Sequence, residues 1–176
     1  MRIFEDIKVG LERDPATRSA LELFLTSPGL HAIWAYRIAH VMWKLKLRIL
    51  SRMLSNWVKF LTAIEIHPGA TIGRRFVIDH GVGIVIGETA IIGDDVLMYH
   101  GVTHGGKTLD PVKRHPTVGN KVTLGAGAKL IGNITIGDGC AVGANAVVTK
   151  NMPAGTVAVG FNARLLNLIG DEFYII

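Results

Sequence analysis

The chain has 176 residues, of which 49% are hydrophobic, 21 are glycine and one is cysteine, and its formal net charge is +5. This length allows a real hydrophobic core, and the apolar share excludes low-complexity disorder. The single cysteine, Cys140, excludes an intramolecular disulfide, and the scattered basic residues form no nucleic-acid motif. The high glycine count favours a fold with many tight corners, because glycine adopts positive φ without strain.

Residues 1–62 are predicted to form a helical N-terminal segment. The pair Asp14-Pro15 has the pattern of an N-cap followed by a proline in the first helical position. The run Ser27-Pro28-Gly29 should end that helix, and two further helices are predicted over 31–45 and 47–61.

The third predicted helix is cationic, which suggests either contact with a membrane surface or a solvated outer face on a packed helix; we prefer the second. Basic residues interrupt the apolar stretch that contains it: Arg37, Lys44, Lys46, Arg48, Arg52 and Lys59. No run of about 20 apolar residues remains to cross a membrane, and charges near the start break a signal-peptide pattern. We therefore expect a cytoplasmic protein that binds neither membrane nor nucleic acid.

The most informative pattern is a six-residue beat of aliphatic residues between Ile66 and Met152. The series are Ile66, Ile72, Ile78 and Ile84, then Ile86, Ile92 and Met98, then Val118, Leu124, Leu130, Ile136, Val142 and Val148. Neither a helix nor a simple strand has this period, whereas hexapeptide repeats are typical of a β-solenoid. Three hexads make one triangular coil, which predicts coils at 66–83, 86–103, 118–135 and 136–153.

The solenoid domain is predicted over 63–163, with a C-terminal tail over 164–176. A loop over 104–117 interrupts the beat. Long insertions in repeat proteins are usually functional and lie on a binding face.

Histidines fall at matching positions of successive coils. His80 and His100 each lie two residues after an inward-facing residue, so they should stack about one coil apart. The predicted neighbourhood contains Glu65, Asp79, His80, His100 and the loop histidines His104 and His115. A carboxylate beside a histidine orients the ring and raises its basicity, which suits a general base.

Two chemistries fit this cluster. In acyl transfer, a histidine deprotonates a hydroxyl or amine that attacks a thioester, while Gly105-Gly106 lets a long cofactor approach the backbone closely. In zinc chemistry, His80, His100 and His104 supply the three imidazoles of a catalytic zinc site. The residue pattern alone leaves both open.

Several motifs between residues 13 and 165 resemble those of bacterial and plant serine O-acetyltransferases. They are Asp14-Pro15-Ala16, His31-Ala32-Ile33, Tyr36 to His40, Glu65 to Gly73, Ile78-Asp79-His80-Gly81, Gly83 to Ala90, and Lys113-Arg114-His115-Pro116. The resemblance implies a mixed fold in which the helical segment precedes a left-handed parallel β-helix. It also implies acetyl transfer from acetyl-CoA to L-serine, giving O-acetyl-L-serine, the first step of cysteine biosynthesis.

The resemblance assigns a role to each matching residue. His80 is the general base, and Glu65 is its carboxylate partner. The residues that correspond to the family's serine-binding positions are Asp14 and Asp79 for the amino group, Arg114 for the carboxylate, and His115 beside it. Those along the acetyl-CoA path are Gly105, Gly106, Ala126, Ala144 and Arg164, and no metal is expected.

The resemblance further implies a homotrimer with active sites between subunits, which longer members pair into a dimer of trimers. It also suggests that the terminal Ile176 binds O-acetylserine sulfhydrylase. One departure is His104, which stands where the family has leucine. His104 keeps two alternatives open: an acetyltransferase for another hydroxyl or amine acceptor, and a zinc enzyme of the γ-carbonic anhydrase type. A non-enzymatic scaffold is the remaining alternative.

Overall fold

The computed structural model describes residues 2–160, and its N-terminal part contains four helices. They are α1 (Ile3–Arg13), α2 (Ala20–Thr26), α3 (Pro28–Lys44) and α4 (Arg48–Thr62). Serine caps begin two of them: the side chain of Ser19 accepts a hydrogen bond from Glu22 N, and that of Ser27 accepts one from Leu30 N. Pro28 follows Ser27 in the first turn of α3, where its missing N–H costs nothing. The two helices predicted after Ser27 are therefore present as α3 and α4.

Asp14 ends α1 instead of beginning the next helix, so its predicted N-cap role is wrong. Its backbone is extended, and its N–H bonds to Gly10 O at the C-terminus of α1. Its carboxylate accepts hydrogen bonds from Ala16 N at 2.8 Å and from Thr17 Oγ1 at 2.5 Å. The next helix, α2, begins only at Ala20, and Ser19 supplies its N-cap.

The remaining described residues form a parallel β-helix with three sheets. The strands are β1 (Glu65–Ile66), β2 (Thr71–Ile72), β3 (Val77–Ile78), β4 (Val85–Ile86), β5 (Ile91–Ile92), β6 (Leu97–Met98), β7 (Thr103–Gly105), β8 (Thr117–Val118), β9 (Thr123–Leu124), β10 (Lys129–Ile131), β11 (Thr135–Ile136), β12 (Ala141–Val142), β13 (Val147–Val148) and β14 (Val157–Ala158). Sheet A has the order β1-β4-β7-β10-β13, sheet B β2-β5-β8-β11, and sheet C β3-β6-β9-β12-β14. Successive coils thus add strands in parallel to the three sheets, which confirms the predicted solenoid.

The beat residues stack inside this triangular prism and form its core. Ile86 and Leu130 are fully buried in sheet A, and Ile92 and Ile136 are buried in sheet B. Coils are held about 4.8 Å apart by the parallel ladders, so each inward side chain packs on those above and below. Truncating one, as in Leu130→Ala, is expected to cost about 2–5 kcal/mol through lost burial and a cavity.

Coil three begins at β7, which corrects the predicted coil limits. His104 pairs in register with Ile86 and Leu130 in sheet A, so it occupies a beat position and is not part of the loop. The loop therefore covers residues 106–116, between β7 and β8, rather than 104–117. It leaves the prism between sheets A and B.

Three edges of the prism join the sheets, and we call them corners. The C–A corner contains turns 79–84, 99–102, 125–128 and 143–146; the A–B corner contains 67–70, 87–90, 106–116 and 132–134; the B–C corner contains 73–76, 93–96, 119–122 and 137–140. The helices cover the first coil, with α1 and α3 against β3 and α4 against β1.

The outward side of α4 differs from the prediction of a solvated polar face. Its exposed residues include Trp57 and Phe60, which are 60% and 78% exposed. Among residues 2–160, no helix combines the length and the apolar character needed to cross a membrane.

Candidate active site

His80 and His100 form the centre of the C–A corner. Their rings meet edge to face, with centroids 5.7 Å apart and planes inclined by 68°, which confirms the predicted stacking. His80 adopts a left-handed backbone with φ of 59°, uncommon for a residue with a side chain. This turn directs an exposed imidazole outward beside Asp79, whose Oδ1 lies 3.8 Å from His80 Nδ1.

A cavity of about 290 Å³ lies between the helices and this corner, and Asp14, Asp79 and His80 line it. The Thr17 hydroxyl and the Ala16 N–H, in that order, hold the pKa of Asp14 below its usual value. Asp14 therefore presents a carboxylate to the cavity at neutral pH. An ammonium group bound there would find two carboxylates beside the histidine.

Glu65 lies on the outward face of β1, near the start of the first coil. Its carboxylate accepts a hydrogen bond from Lys59 Nζ of α4. The predicted pairing with His80 is absent from the contacts of the described residues, and the Glu65 carboxylate pairs with Lys59 instead. The Lys59–Glu65 pair was not foreseen from the sequence.

Arg114 lies at the A–B corner, where two residues of the second coil fix it. Its Nη2 lies 2.9 Å from Glu88 Oε2, and its backbone N–H donates to Thr89 Oγ1 at 3.0 Å. Glu88 and Thr89 belong to the Gly83 to Ala90 motif, to which the resemblance assigns no role. The signal that identifies them is their place one coil below the loop.

His115 is buried at the same corner and fills space left by a glycine. Its Nδ1 accepts a hydrogen bond from Thr89 N at 3.2 Å. A Cβ at Gly87 would stand 2.1 Å from the His115 ring, so only glycine fits there. Burial, followed by the charges of Arg114 and Lys113, lowers the pKa of His115 and keeps the ring neutral.

The loop and the histidine pair therefore lie at different corners of one chain. His80 belongs to the turn after sheet C, whereas Arg114 contacts Glu88 in the turn after sheet A. The prediction that the loop shares the neighbourhood of His80 is wrong within a single chain. The six-residue count placed His80 and His100 correctly. The loop, however, leaves the solenoid after sheet A, whereas the prediction placed its start after sheet C.

The predicted cofactor residues also divide between the two corners. Ala126 and Ala144 continue the column above His100: Gly127 N bonds to His100 O, and Asn145 N bonds to Ala126 O, each at 2.8 Å. Gly105 ends β7, and Gly106 begins the loop at the A–B corner, where a Cβ would lie 3.2 Å from Arg114 Cγ. Arg164 and Ile176 lie outside the described residues.

His104 faces the interior and has no hydrogen-bond partner among the described residues for either ring nitrogen. Full burial lowers its pKa to about 3, with smaller contributions from His115 and Lys113. The zinc set of His80, His100 and His104 does not converge, since two rings point outward and one inward. The part of the chain that the structure describes contains no group of three His, Cys, Asp or Glu residues able to hold a metal.

Comparisons with known proteins point to one family. Residues 115–150 match the family model described as bacterial transferase hexapeptide (six repeats). The chain is 52% identical over 165 residues to a serine acetyltransferase of Helicobacter pylori, covering 92% of this chain and 96% of that protein. It is 50% identical over 161 residues to the Mycobacterium tuberculosis serine acetyltransferase, covering 92% of this chain and 70% of that protein.

Solved structures give the same result for the fold. Serine acetyltransferase isoform 3 of Entamoeba histolytica, in complex with cysteine, superposes with a TM-score of 0.87 at 40% identity, and the match covers 97% of this chain but 60% of that one. The soybean enzyme complexed with serine gives a TM-score of 0.87 at 42% identity, covering 93% of this chain and 68% of that one. The left-handed parallel β-helix is thereby confirmed, and the chain belongs to the serine acetyltransferase family.

Proposed function

We propose that this chain transfers the acetyl group of acetyl-CoA to the hydroxyl of L-serine, giving O-acetyl-L-serine and CoA at the start of cysteine biosynthesis. The observation that carries the proposal is the exposed His80 imidazole beside Asp79, at the mouth of a cavity that also contains Asp14. A cytoplasmic location belongs to the same proposal.

In this mechanism His80 acts as general base. It accepts the proton of the serine hydroxyl while the oxygen forms a bond to the thioester carbonyl carbon. The carbon–sulfur bond then breaks, and His80 returns its proton to the departing thiolate, so that atoms and charge balance without a covalent enzyme intermediate. Asp79 and Glu65 are the candidates for orienting the ring. For Glu65 to orient the ring, its carboxylate must leave Lys59 and pair with His80.

Serine binding requires groups for both of its charges. Asp14 and Asp79 offer carboxylates to the ammonium group, and Arg114 offers a guanidinium to the carboxylate, with the neutral His115 beside it. Glu88 and Thr89 support this role because they fix Arg114 in place.

The acetyl-CoA path is proposed along the small residues of the two corners. Ala126 and Ala144 continue the His80–His100 column. Gly105 and Gly106 carry no side chains of their own at the A–B corner, so a thin acyl chain can approach their backbone. Arg164 is proposed to meet a CoA phosphate.

Assembly follows from the separation of the corners. A serine molecule can touch both His80 and Arg114 only if two copies of the chain contribute them, which supports a homotrimer with sites between subunits. Pairing of two trimers and capture of O-acetylserine sulfhydrylase by Ile176 extend this proposal. His104 was the residue that suggested another hydroxyl or amine acceptor. Because His104 lies in the core, it does not support that alternative.

The first test measures thiol release from acetyl-CoA with and without L-serine. Release should depend on serine and fall by about 10²–10⁴-fold in His80→Ala.

The second test co-assembles His80→Ala with Arg114→Ala. If each site joins two subunits, about a quarter of the sites in random mixtures combine an intact residue from each variant, and activity returns. Serine-independent release would contradict the activity, and absence of recovery would contradict the shared site.

A further inference from the structure

A second cavity lies beside helix α3, apart from the one that contains His80. The helices pack mainly against β1 and β3, so a groove remains between α3 and β2. We call it the α3–β2 groove; it is lined by α3 residues between Tyr36 and Lys44, by residues 71–73 and by Arg2. Its volume of about 660 Å³ lies within the roughly 300–1,000 Å³ of small-molecule sites. Among the described residues, none lines both this groove and the cavity beside His80.

The floor of the groove is apolar because α3 satisfies the backbone of the first coil. The Tyr36 hydroxyl donates to Ala70 O at 2.6 Å, and His40 Nδ1 donates to Pro68 O at 2.8 Å. An added peptide strand would need these two carbonyl oxygens, so strand addition is disfavoured at this edge. The Val41 side chain nevertheless remains 56% exposed in the groove. The groove therefore offers hydrocarbon contact to a small ligand.

The charges that line the groove all have one sign. Among residues 2–160, the charged lining residues are Arg2, Arg37 and Lys44, with no carboxylate. Arg37 is already balanced, because its Nη2 donates to Asp6 Oδ1 at 2.8 Å and its Nη1 donates to Asp6 Oδ2. The ion pairs of the described residues include neither Arg2 nor Lys44. The groove thus has two unbalanced positive charges, which favour an anionic group.

We propose that the α3–β2 groove binds a small amphipathic anion, a carboxylate with an aliphatic or aromatic body about 10 Å long. That length is the rise of α3 over the seven residues from Arg37 to Lys44. The apolar body packs on Val41 and Ile72, while the carboxylate pairs with Arg2 or Lys44. Because the groove is separate from the catalytic cavity, this binding does not depend on the proposed acetyl transfer.

The first test titrates decanoate into the full-length protein by calorimetry. Decyltrimethylammonium, which has the same alkyl chain and the opposite charge, is the matched probe. The proposal predicts saturable binding of decanoate and about tenfold weaker binding of the cation. Equal affinity for the two probes would reduce the site to an apolar surface, and that result would overturn the proposal. So would a titration in which decanoate does not saturate.

A second test locates the bound decanoate. Val41→Asp places a carboxylate in the groove and should lower decanoate affinity about tenfold, with serine-dependent thiol release unchanged. Phe60→Asp is the matched control, since it adds the same charge at a site on α4 that is 78% exposed. His80→Ala should bind decanoate as the wild type does. Loss of binding in His80→Ala would assign decanoate to the catalytic cavity and would contradict the proposal.

A charge-removing variant leaves the apolar wall intact and so keeps the proposal testable if Val41→Asp is unstable. The double variant Arg2→Gln, Lys44→Gln should bind decanoate about fivefold more weakly. The double variant Lys8→Gln, Lys46→Gln removes the same charge outside the groove and should match the wild type. Wild-type affinity in a folded Val41→Asp, or in Arg2→Gln, Lys44→Gln, would place decanoate elsewhere and overturn the proposal.

Discussion

The edge of one imidazole faces the plane of the other in the His80–His100 pair, at a centroid distance of 5.7 Å. His80 is 70% exposed, and its nearest carboxylate, Asp79, lies 3.8 Å away. The His100 ring therefore supplies a neighbouring surface that limits the rotation of His80. This relationship gives His100 a positioning role for the proposed general base.

Replacing His100 should separate ring packing from hydrogen bonding. An aromatic pair contributes about 1 kcal/mol, so His100→Ala is expected to lower kcat about fivefold with little change in the serine KM. His100→Phe retains the edge-to-face contact and should recover most of the rate. Steady-state kinetics of both variants provide the measurement. Equal losses in the two would contradict a packing role and assign the effect to the ring nitrogens.

Glu88 is expected to control serine affinity through Arg114. Glu88→Gln removes the carboxylate 2.9 Å from Arg114 Nη2, and the guanidinium then samples other directions. Because the pair is partly exposed, we expect a loss of about 1 kcal/mol, seen as a roughly fivefold higher serine KM. Glu12→Gln, which alters an exposed ion pair on α1, is the matched control. An unchanged serine KM in Glu88→Gln would contradict this role.

His104 should destabilise the protein in mild acid. Burial lowers its folded-state pKa to about 3, whereas the unfolded chain titrates near 6.5. Above pH 6.5 both states are neutral. Between pH 6.5 and 3 only the unfolded state takes up a proton, so the free energy of unfolding falls by up to about 1.4 kcal/mol per pH unit.

His104→Leu removes both this titration and the unpaired ring nitrogens. The variant is expected to be about 1–3 kcal/mol more stable at pH 7, and its advantage should grow as the pH falls toward 4. Urea unfolding at pH 7, 6 and 5 measures the trend. A constant difference between variant and wild type over this range would show that His104 finds a partner or solvent in the folded state.

The sequence predicted the solenoid well because the six-residue beat directly determines which side chains enter the prism. It failed at His104, since a histidine at a beat position is read as a polar loop residue although the count places it inside. It failed at Asp14 because a second capping residue, Ser19, lies shortly after it and is the one that begins α2. The position of Arg114 was missed because one further strand, β7, precedes the loop. That strand moves the start of the loop from the C–A corner to the A–B corner.

The N-terminal helix α1 should position Asp14 through a charged contact with the B–C corner. Glu5 accepts hydrogen bonds from Arg74 at 2.8 Å and Arg75 at 3.3 Å, and Arg75 also binds both carboxylate oxygens of Asp95. Asp14 follows the last residue of α1. The lining of the cavity therefore depends on how firmly α1 is held.

Glu5→Gln should raise the serine KM several-fold and lower the melting temperature at pH 7, while Lys8→Gln, at an exposed site on the same helix, should change neither.

The Arg74 hydrogen bond is the main cause that lowers the pKa of Glu5 below 4.5. Its contribution to stability is therefore complete above about pH 4.5 and is lost as the pH falls through the lowered pKa. The melting temperatures of Glu5→Gln and wild type should differ at pH 7 and converge in acid; a difference that persists below that pKa would show that Glu5 holds α1 by packing and not by its charge.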